Sequence, residues 1–183
     1  MLDRPIFILG FMGCGKSTFG KKLARELNVE FVDLDAAIEQ QTGRSLTQFF
    51  KSEGEAAFRD IEREMLRNVL ADKGPCVVAT GGGTPCFFDN MDRMREQGYT
   101  LYLQLSNTAL CQRLRNSMAR RPLLEDMQPD ELFPYVEQTM AARQQYYERA
   151  HIIAEATRIT TGSILNTLAY MKEMGSAAAS PTM

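Results

Sequence analysis

Residues 10–17 read GFMGCGKS, and this stretch decides the fold. It matches the pattern G-x-x-x-x-G-K-[ST] in full, with an apolar run before it (5–9) and a helical pattern after it (16–27). Glycines allow a backbone to wrap closely around a polyphosphate, and loop N–H groups together with the helix N-terminus then bind its anionic oxygens. We expect Lys16 to reach the β- and γ-phosphates and the Ser17 hydroxyl to ligate Mg²⁺. A glycine-rich turn that binds nothing is the alternative, and the lysine, the serine and the flanking elements together favour the phosphate site.

Short apolar segments alternate with helical patterns along the chain, which predicts one α/β domain. Strands are expected at 5–9, 31–34, 76–79, 99–105 and 151–154. Helices are expected at 16–27, at 45–71 with a cap at Ser45 and a break at Gly54, from 107 onward, at 130–150 and at 163–174. This order is typical of a parallel sheet covered on both faces. The domain is expected to span 1–174, with a mobile loop at about 117–129 and a disordered tail at 175–183.

The overall composition of the chain excludes several classes of function. A formal net charge of −2 gives no overall attraction to nucleic acid or to an anionic membrane, so phosphate binding must come from a local site. The four cysteines are widely spaced and form no C-x-x-C pair, which argues against a zinc site or a disulfide framework. The chain has no signal-like start and no apolar stretch near the roughly 18 residues that a membrane span requires. A cytoplasmic protein that binds neither nucleic acid nor membrane is therefore expected, and a monomeric state is expected with it.

Proteins of two other classes carry a similar loop. A GTP-binding switch protein usually also contains a D-x-x-G segment and a guanine-reading N-K-x-D segment, and this chain has neither string. A module that binds nucleotide without chemistry is the other alternative, and it would release no ADP with any acceptor. The loop thus indicates that the protein binds a nucleotide, and the second substrate must be inferred from other residues.

Asp33 and Asp35 lie at the end of the second predicted strand. Because ligands of open α/β sheets lie beyond the carboxyl ends of the strands, we expect this pair beside the phosphate loop. Phosphoryl transfer needs Mg²⁺ and a group that orients the attacking hydroxyl. We expect the two carboxylates to take separate roles, one facing the metal through water and the other facing the acceptor. A solvated acidic turn is the alternative, which the position after the second strand disfavours.

Two further segments suggest an acceptor site. Residues 54–62 read GEAAFRDIE, which puts Arg59 and Glu62 three apart on one helical face. Glu62 is expected to hold the guanidinium so that its fork faces a planar carboxylate, and an ordinary surface ion pair fits the spacing equally well. The three glycines at 81–83 follow the third predicted strand, which indicates either close approach of the backbone to a ligand or a loose turn.

Together these segments resemble the shikimate kinase family, a branch of the nucleoside-monophosphate-kinase-like P-loop proteins. The phosphate loop is generic, whereas the combination of D-x-D at 33–35, F-R-x-x-E at 58–62 and T-G-G-G at 80–83 is specific. Further markers in family order are Gly43-Arg44-Ser45, Arg121-Pro122-Leu123-Leu124, and Arg143 before Tyr146-Tyr147. The markers extend over nearly the whole chain.

The resemblance implies transfer of the ATP γ-phosphate to the 3-hydroxyl of shikimate, in aromatic amino-acid biosynthesis, with Mg²⁺ as cofactor. It also implies a five-stranded parallel sheet flanked by helices, a mobile lid at about 117–129 and a helical acceptor-binding region at about 35–62. Carried over by position, the catalytic residues are Lys16, Asp35 and Arg121. The implied nucleotide-binding residues are Gly13, Cys14, Gly15, Lys16, Ser17, Thr18, Arg113 and Arg121. The implied substrate-binding residues are Asp35, Arg59, Gly81, Gly82, Gly83 and Arg143, and the implied metal ligands are Ser17 and Asp33.

Several assignments stay open within the resemblance. Arg113 and Arg115 both qualify as the adenine-side arginine, because the spacing to Arg121 does not fix the register. Arg120 beside Arg121 adds a second choice in the lid. Asp35 is either a proton acceptor or an orienting group, since loose phosphoryl transfer needs little base assistance. Gluconate kinase is the nearest rival activity, because gluconate is also a polyhydroxy acid.

Overall fold

Five strands and seven helices alternate along the chain in a computed structural model, which describes residues 2–72, 74–115, 124 and 127–178. The strands are β1 (Ile6–Leu9), β2 (Glu30–Asp33), β3 (Cys76–Ala79), β4 (Tyr99–Gln104) and β5 (Ile152–Glu155). The helices are α1 (Lys16–Leu27), α2 (Leu34–Thr42), α3 (Leu46–Asp72), α4 (Asn90–Gln97), α5 (Asn107–Arg115), α6 (Leu132–Tyr147) and α7 (Thr161–Ala178). A short 3₁₀ helix covers Thr84–Cys86.

All five strands run parallel in one sheet of order β2-β3-β1-β4-β5. Every residue of β1 and of β3 is buried, which explains why both strands are continuous apolar runs in the sequence. The predicted α/β domain with a five-stranded parallel sheet is confirmed.

The order of the strands positions the site. Because β2, β3 and β1 are neighbours, three connections meet at the same edge of the sheet: the phosphate loop after β1, the start of α2 after β2, and the glycine turn (81–83) after β3. The carboxyl edge of a parallel sheet is where open α/β proteins bind their ligands.

Helix α2 differs from the prediction, which includes the first residue of this helix in the second strand. Strand β2 ends at Asp33, and α2 begins at the next residue, Leu34. Asp35 therefore lies in the first helical turn, and the prediction that both aspartates end one strand is wrong. Two residues apart on a strand, the carboxylates would point to the same face. Asp33 is the N-cap of α2, since its Oδ1 accepts a hydrogen bond from the Ala36 N–H at 3.4 Å.

The remaining helices agree with the prediction at most positions. Gly54 is non-helical within α3 (φ 80°, ψ 176°), at the predicted break, and the Ser45 hydroxyl accepts from the Gln48 N–H at 3.2 Å as the predicted cap. Helix α4 was not predicted. Helix α7 continues to Ala178, so residues 175–178 of the predicted tail are helical, and 179–183 lie outside the described residues. In the described part of the chain, no helix combines the length and apolarity needed to cross a membrane.

Candidate functional site

The phosphate loop connects β1 to α1 and borders a cavity. Gly10, Gly13 and Gly15 have φ values of 137°, 82° and 110°, which residues with a Cβ rarely adopt, so this loop shape depends on glycine. Cys14 is only 2% exposed and packs into the core, and it is not among the residues that line the cavity. The cavity, called here the phosphate-loop cavity, has a volume of about 350 Å³. It is lined by Met12, Gly13, Gly15, Lys16, Ser17, Thr18, Asp33, Asp35, Thr80, Gly82 and Arg113.

Lys16 brings a positive charge to this cavity. It is the first residue of α1, and its Nζ donates to the carbonyl oxygens of Gly10 at 2.8 Å and Phe11 at 3.1 Å. The side chain is fixed by the loop and little exposed, so its charge is screened less by water than that of a surface lysine. Together with the N-terminus of α1, the ammonium group makes the cavity suitable for an anion.

Ser17 and Asp33 place two oxygen atoms side by side at the wall of the phosphate-loop cavity. The Ser17 hydroxyl donates to Asp33 Oδ2 at 2.6 Å. Hydroxyl and carboxylate oxygens are ligands that Mg²⁺ accepts, and Mg²⁺ commonly keeps several waters beside one or two protein ligands. The described residues contain no cluster of three or more His, Cys, Asp or Glu able to hold a metal ion. The pair therefore fits an ion that is shared with water and a phosphate.

Asp35 lies between two cavities. It lines the phosphate-loop cavity and a second one of about 340 Å³, called here the arginine cavity. Burial raises the pKa of Asp35 from an ordinary 3.8 to about 6, and the nearby Lys16 charge opposes that rise. The negative charges of Glu62 and Asp33 add to the rise. Asp35 is thus a carboxylate whose proton affinity is tuned close to neutral pH.

The arginine cavity combines apolar, acidic and basic side chains. It is lined by Met12, Asp35, Glu39, Ser45, Leu46, Thr47, Phe50, Phe58, Arg59, Glu62, Gly81, Gly82, Gly83 and Arg143. The two guanidinium groups of Arg59 and Arg143, together with the Asp35 carboxylate, suit a small acceptor that carries both a carboxylate and hydroxyl groups. A nucleotide acceptor would instead need basic residues around a second phosphate.

Arg59 is held in one orientation by two glutamates. Its Nη1 donates to Glu62 Oε2 at 2.8 Å, and its Nε and Nη2 donate to Glu55 Oε1 at 3.2 Å and 2.9 Å. Glu62 is only 1% exposed and accepts a further bond from the Thr84 hydroxyl at 2.5 Å. The guanidinium carbon also lies 4.1 Å from the centre of the Phe87 ring. The ion pair is therefore buried rather than an ordinary surface pair, and it fixes the guanidinium at the cavity wall.

The glycine turn approaches these side chains too closely for any other residue. A Cβ at Gly81 would lie 2.5 Å from Glu62 Oε1, and a Cβ at Gly83 would lie 2.7 Å from Arg59 Nη1. The close approach indicated by the sequence is thus present, although it is to Glu62 and Arg59 as well as to the cavity. A side chain at either position would displace the Arg59–Glu62 pair.

Arg143 reaches the site from helix α6. It lines the arginine cavity, and its guanidinium carbon lies 5.7 Å from the centre of the Phe11 ring. A Cβ at Gly82 would lie 3.3 Å from Arg143 Nη1, so the arginine packs closely on the glycine turn. The structure therefore brings Arg59 and Arg143, which are far apart in sequence, to the same cavity.

Arg113, and not Arg115, contacts the phosphate loop. Arg113 Nη1 donates to the carbonyl oxygens of Cys14 at 3.0 Å and Gly13 at 3.4 Å, and the residue lines the phosphate-loop cavity. Arg115 is exposed and does not line that cavity. Arg120 and Arg121 lie outside the described residues, as does the predicted lid at 117–129 apart from residues 124 and 127–129.

Sequence reasoning missed the residues that support Arg59. Glu55 is four residues before Arg59 in the same helix, so the ordinary i,i+4 rule identifies this pair. Thr84 and Phe87 carry no such signal, because their contacts depend on how the chain folds after β3.

The chain is similar to known proteins over most of its length. The family profile described as shikimate kinase matches residues 12–171. A shikimate kinase from Azobacteroides pseudotrichonymphae is 39% identical over 165 residues, which is 90% of this chain and 97% of the relative.

Solved structures of shikimate kinases are also similar to this chain. A shikimate kinase from Bacteroides thetaiotaomicron superposes with a TM-score of 0.82 at 38% identity, over 93% of this chain and 98% of that one. A shikimate kinase from Acinetobacter baumannii, in complex with shikimate, superposes with a TM-score of 0.82 at 32% identity, over 92% of this chain and 94% of that one. With the family profile matched across most of the chain, the protein belongs to the shikimate kinase family.

Proposed function

We propose that the chain transfers the γ-phosphoryl group of ATP to the 3-hydroxyl of shikimate. The observation that carries this proposal is the junction of the two cavities at Asp35, which lines both of them together with Met12 and Gly82. A phosphate held by the loop and a hydroxyl held by Asp35 would meet at this junction. The bound shikimate of the Acinetobacter baumannii relative supports the choice of acceptor.

The phosphate-loop cavity is proposed to bind ATP. The backbone of residues 13–18 would surround the phosphates, and Lys16 would supply positive charge to the transferring group. Arg113 is proposed to lie on the adenine side of the site, supported by its bonds to the loop carbonyls. Arg121 keeps its proposed role in reaching the transferring phosphate.

Ser17 and Asp33 are proposed to hold Mg²⁺, Ser17 directly and Asp33 through water. The ion would neutralise charge on the phosphates. Support comes from the chemistry of the pair, two oxygen atoms 2.6 Å apart beside the loop.

The arginine cavity is proposed to bind shikimate. Arg59 and Arg143 would bind its carboxylate, and the backbone of 81–83 would supply N–H groups. The contacts of Arg59 with the two glutamates use three of its five N–H groups, so among the described residues two remain for the acceptor. The helical region at about 35–62, which contains α2 and the first part of α3, is proposed as the acceptor-binding region.

Asp35 is proposed to accept the hydroxyl proton. With a pKa of about 6 it is largely deprotonated at neutral pH, yet it binds a proton more readily than an ordinary aspartate. The acceptor oxygen forms its bond to the γ-phosphorus while the bond from that phosphorus to the β,γ-bridging oxygen breaks. ADP leaves, and the hydroxyl proton passes to Asp35.

A cytoplasmic monomer is the proposed form of the protein. Sedimentation of the purified protein tests the monomeric state, and a stable dimer would contradict it.

A coupled ADP-release assay tests the proposed function. The purified chain is given ATP and Mg²⁺ with shikimate, gluconate or a series of nucleoside monophosphates, and ADP is expected with shikimate. Lys16→Ala is expected to lose nearly all turnover, because it removes a charge aimed at the transferring group. Lys22→Ala, an exposed lysine of the same helix, is the matched control. Turnover of gluconate or a nucleotide in preference to shikimate, or an active Lys16→Ala variant, would refute the proposal.

A further inference from the structure

Tyr147 links helix α6 to the glycine turn. Its side chain is fully buried, and its hydroxyl donates to the Gly82 carbonyl oxygen at 2.5 Å. Its ring stacks on Tyr102 of β4, with 5.0 Å between the ring centroids. The ring is therefore anchored to the sheet, and the hydroxyl extends from this anchor to the turn.

The bond to Gly82 sets the direction of the next N–H group. In a trans peptide, the C=O of one residue and the N–H of the next point in opposite directions, and the described residues contain no cis peptide. With the Gly82 carbonyl turned to Tyr147, the Gly83 N–H points away from Tyr147. Within the described part of the chain this N–H has no hydrogen-bond acceptor, and Gly83 lines the arginine cavity.

A turn of three glycines needs such a restraint. Glycine has wide backbone freedom, so the peptides of the turn can rotate with little steric cost unless something holds them. Gly82 is also close to Met12 and Arg143, since a Cβ there would lie 3.4 Å from the Met12 nitrogen and 3.3 Å from Arg143 Nη1. Tyr147 thus fixes a peptide that lies between the phosphate loop and one of the two cavity arginines.

We propose that Tyr147 is a positioning residue for the acceptor: its hydroxyl holds the Gly82–Gly83 peptide so that the Gly83 N–H donates to the acceptor carboxylate. Gly83 packs against the Arg59 guanidinium, so a carboxylate bound by that arginine lies within reach of the Gly83 N–H. The inference rests on the proposed function, in which Arg59 binds the carboxylate of shikimate.

Tyr147→Phe tests the role, because it keeps the stacked ring and removes only the hydroxyl. The KM for shikimate is expected to rise about fivefold to tenfold, while the KM for ATP changes less than about twofold. The Arg143 side chain also lies at this hydroxyl, so a variant that keeps only the donor is needed to isolate the bond to Gly82. Replacing Tyr147 with 4-aminophenylalanine keeps an N–H donor at the same position and is expected to restore the shikimate KM. Tyr146→Phe is the matched control on the same helix, and both of its KM values are expected to stay unchanged.

Urea unfolding of each variant separates positioning from stability. If Tyr147→Phe lowers the unfolding midpoint but leaves the shikimate KM unaltered, or raises both KM values equally, Tyr147 is structural and the proposal is refuted. If Tyr147→Phe does not fold, the 4-aminophenylalanine variant decides, since an added defect in shikimate KM would contradict a donor role. Wild-type turnover is measured first. If the wild type has no activity on shikimate, the proposed function and the role of Tyr147 are both refuted. If the wild type is active and Tyr147→Phe is unaffected, only the role of Tyr147 is refuted.

Discussion

Replacing Asp35 with asparagine is expected to stabilise the folded protein while it removes turnover. Burial raises the pKa of Asp35 from 3.8 to about 6, so the negative charge is less favourable in the folded chain than in the unfolded one. At about 1.36 kcal/mol per pH unit, this difference costs up to about 3 kcal/mol of folding free energy once Asp35 is ionised. Asparagine has the same shape and no charge, so Asp35→Asn should recover that amount.

The gain should depend on pH in a defined direction. Below the unfolded-state pKa of 3.8, Asp35 is protonated in both states and costs nothing. As pH rises from 3.8 through 6, the folded state retains a proton that the unfolded state has lost, and the stability of the wild type falls relative to Asp35→Asn. The advantage of the variant should thus be about half of its maximum near pH 5 and complete by about pH 8.

Urea unfolding of both proteins at pH 5 and pH 8 measures this gain, with the free energy extrapolated linearly to water. Asp60→Asn, an exposed aspartate of α3, is the matched control and should change stability little at either pH. Turnover of Asp35→Asn with shikimate should fall on the order of a hundredfold or more if Asp35 accepts the proton, and much less if it only orients the hydroxyl. A variant that is less stable than the wild type at pH 8, or equally improved at both values of pH, would refute the electrostatic reasoning.

Three other predictions concern the same site. Arg59→Lys keeps the charge but loses the guanidinium fork, so steady-state kinetics should give a rise in the shikimate KM on the order of tenfold or more, with little change in the KM for ATP. A change confined to the KM for ATP would contradict the assignment of Arg59 to the acceptor site. Asp33→Asn should weaken the dependence of the rate on metal, and raised Mg²⁺ should partly restore turnover. Titration of Asp35→Asn with Mg²⁺ should not restore turnover. If it does, Asp35 supports the metal and Asp33 holds the acceptor. The pH profile of kcat/KM should fall about tenfold per pH unit below about pH 6, because Asp35 must be deprotonated to accept the proton, and a flat profile between pH 5 and 7 would contradict this.

The strands and the phosphate loop were predictable because their signals are local. β1 and β3 are apolar at every position, and the loop glycines stand where positive φ values require them. The Arg59–Glu62 pair was also predictable, since residues three apart share a helical face.

The helices α2 and α4 were not predictable in the same way. Strand β2 is followed by α2 with no intervening loop, and the apolar Leu34 fits the pattern of the strand although it begins the helix. In α4 most side chains are polar, and Met91 and Met94 are the main apolar residues that it buries, so it has almost no apolar stripe.

The contacts that complete the site are long-range. Tyr147 reaches Gly82 across 65 residues, and Thr84 reaches Glu62 across 22. No periodicity in a single sequence encodes such pairs, because they depend on how separate elements pack. The sequence therefore predicts the types of group at the site, and the fold determines which of them touch.

The central position of β1 has a consequence for the nascent chain on the ribosome. Ile6 of this strand pairs with Val77 of β3 on one side and with Tyr99 of β4 on the other. Closing loops of that length costs entropy before any contact repays it, and parallel strands cannot form a local hairpin. The phosphate loop follows a strand that has no neighbour until β3 has left the exit tunnel and lacks its second neighbour until β4 has left it. We therefore expect nucleotide binding to begin only after the chain has been synthesised beyond β4, although the loop itself precedes both neighbouring strands in the sequence.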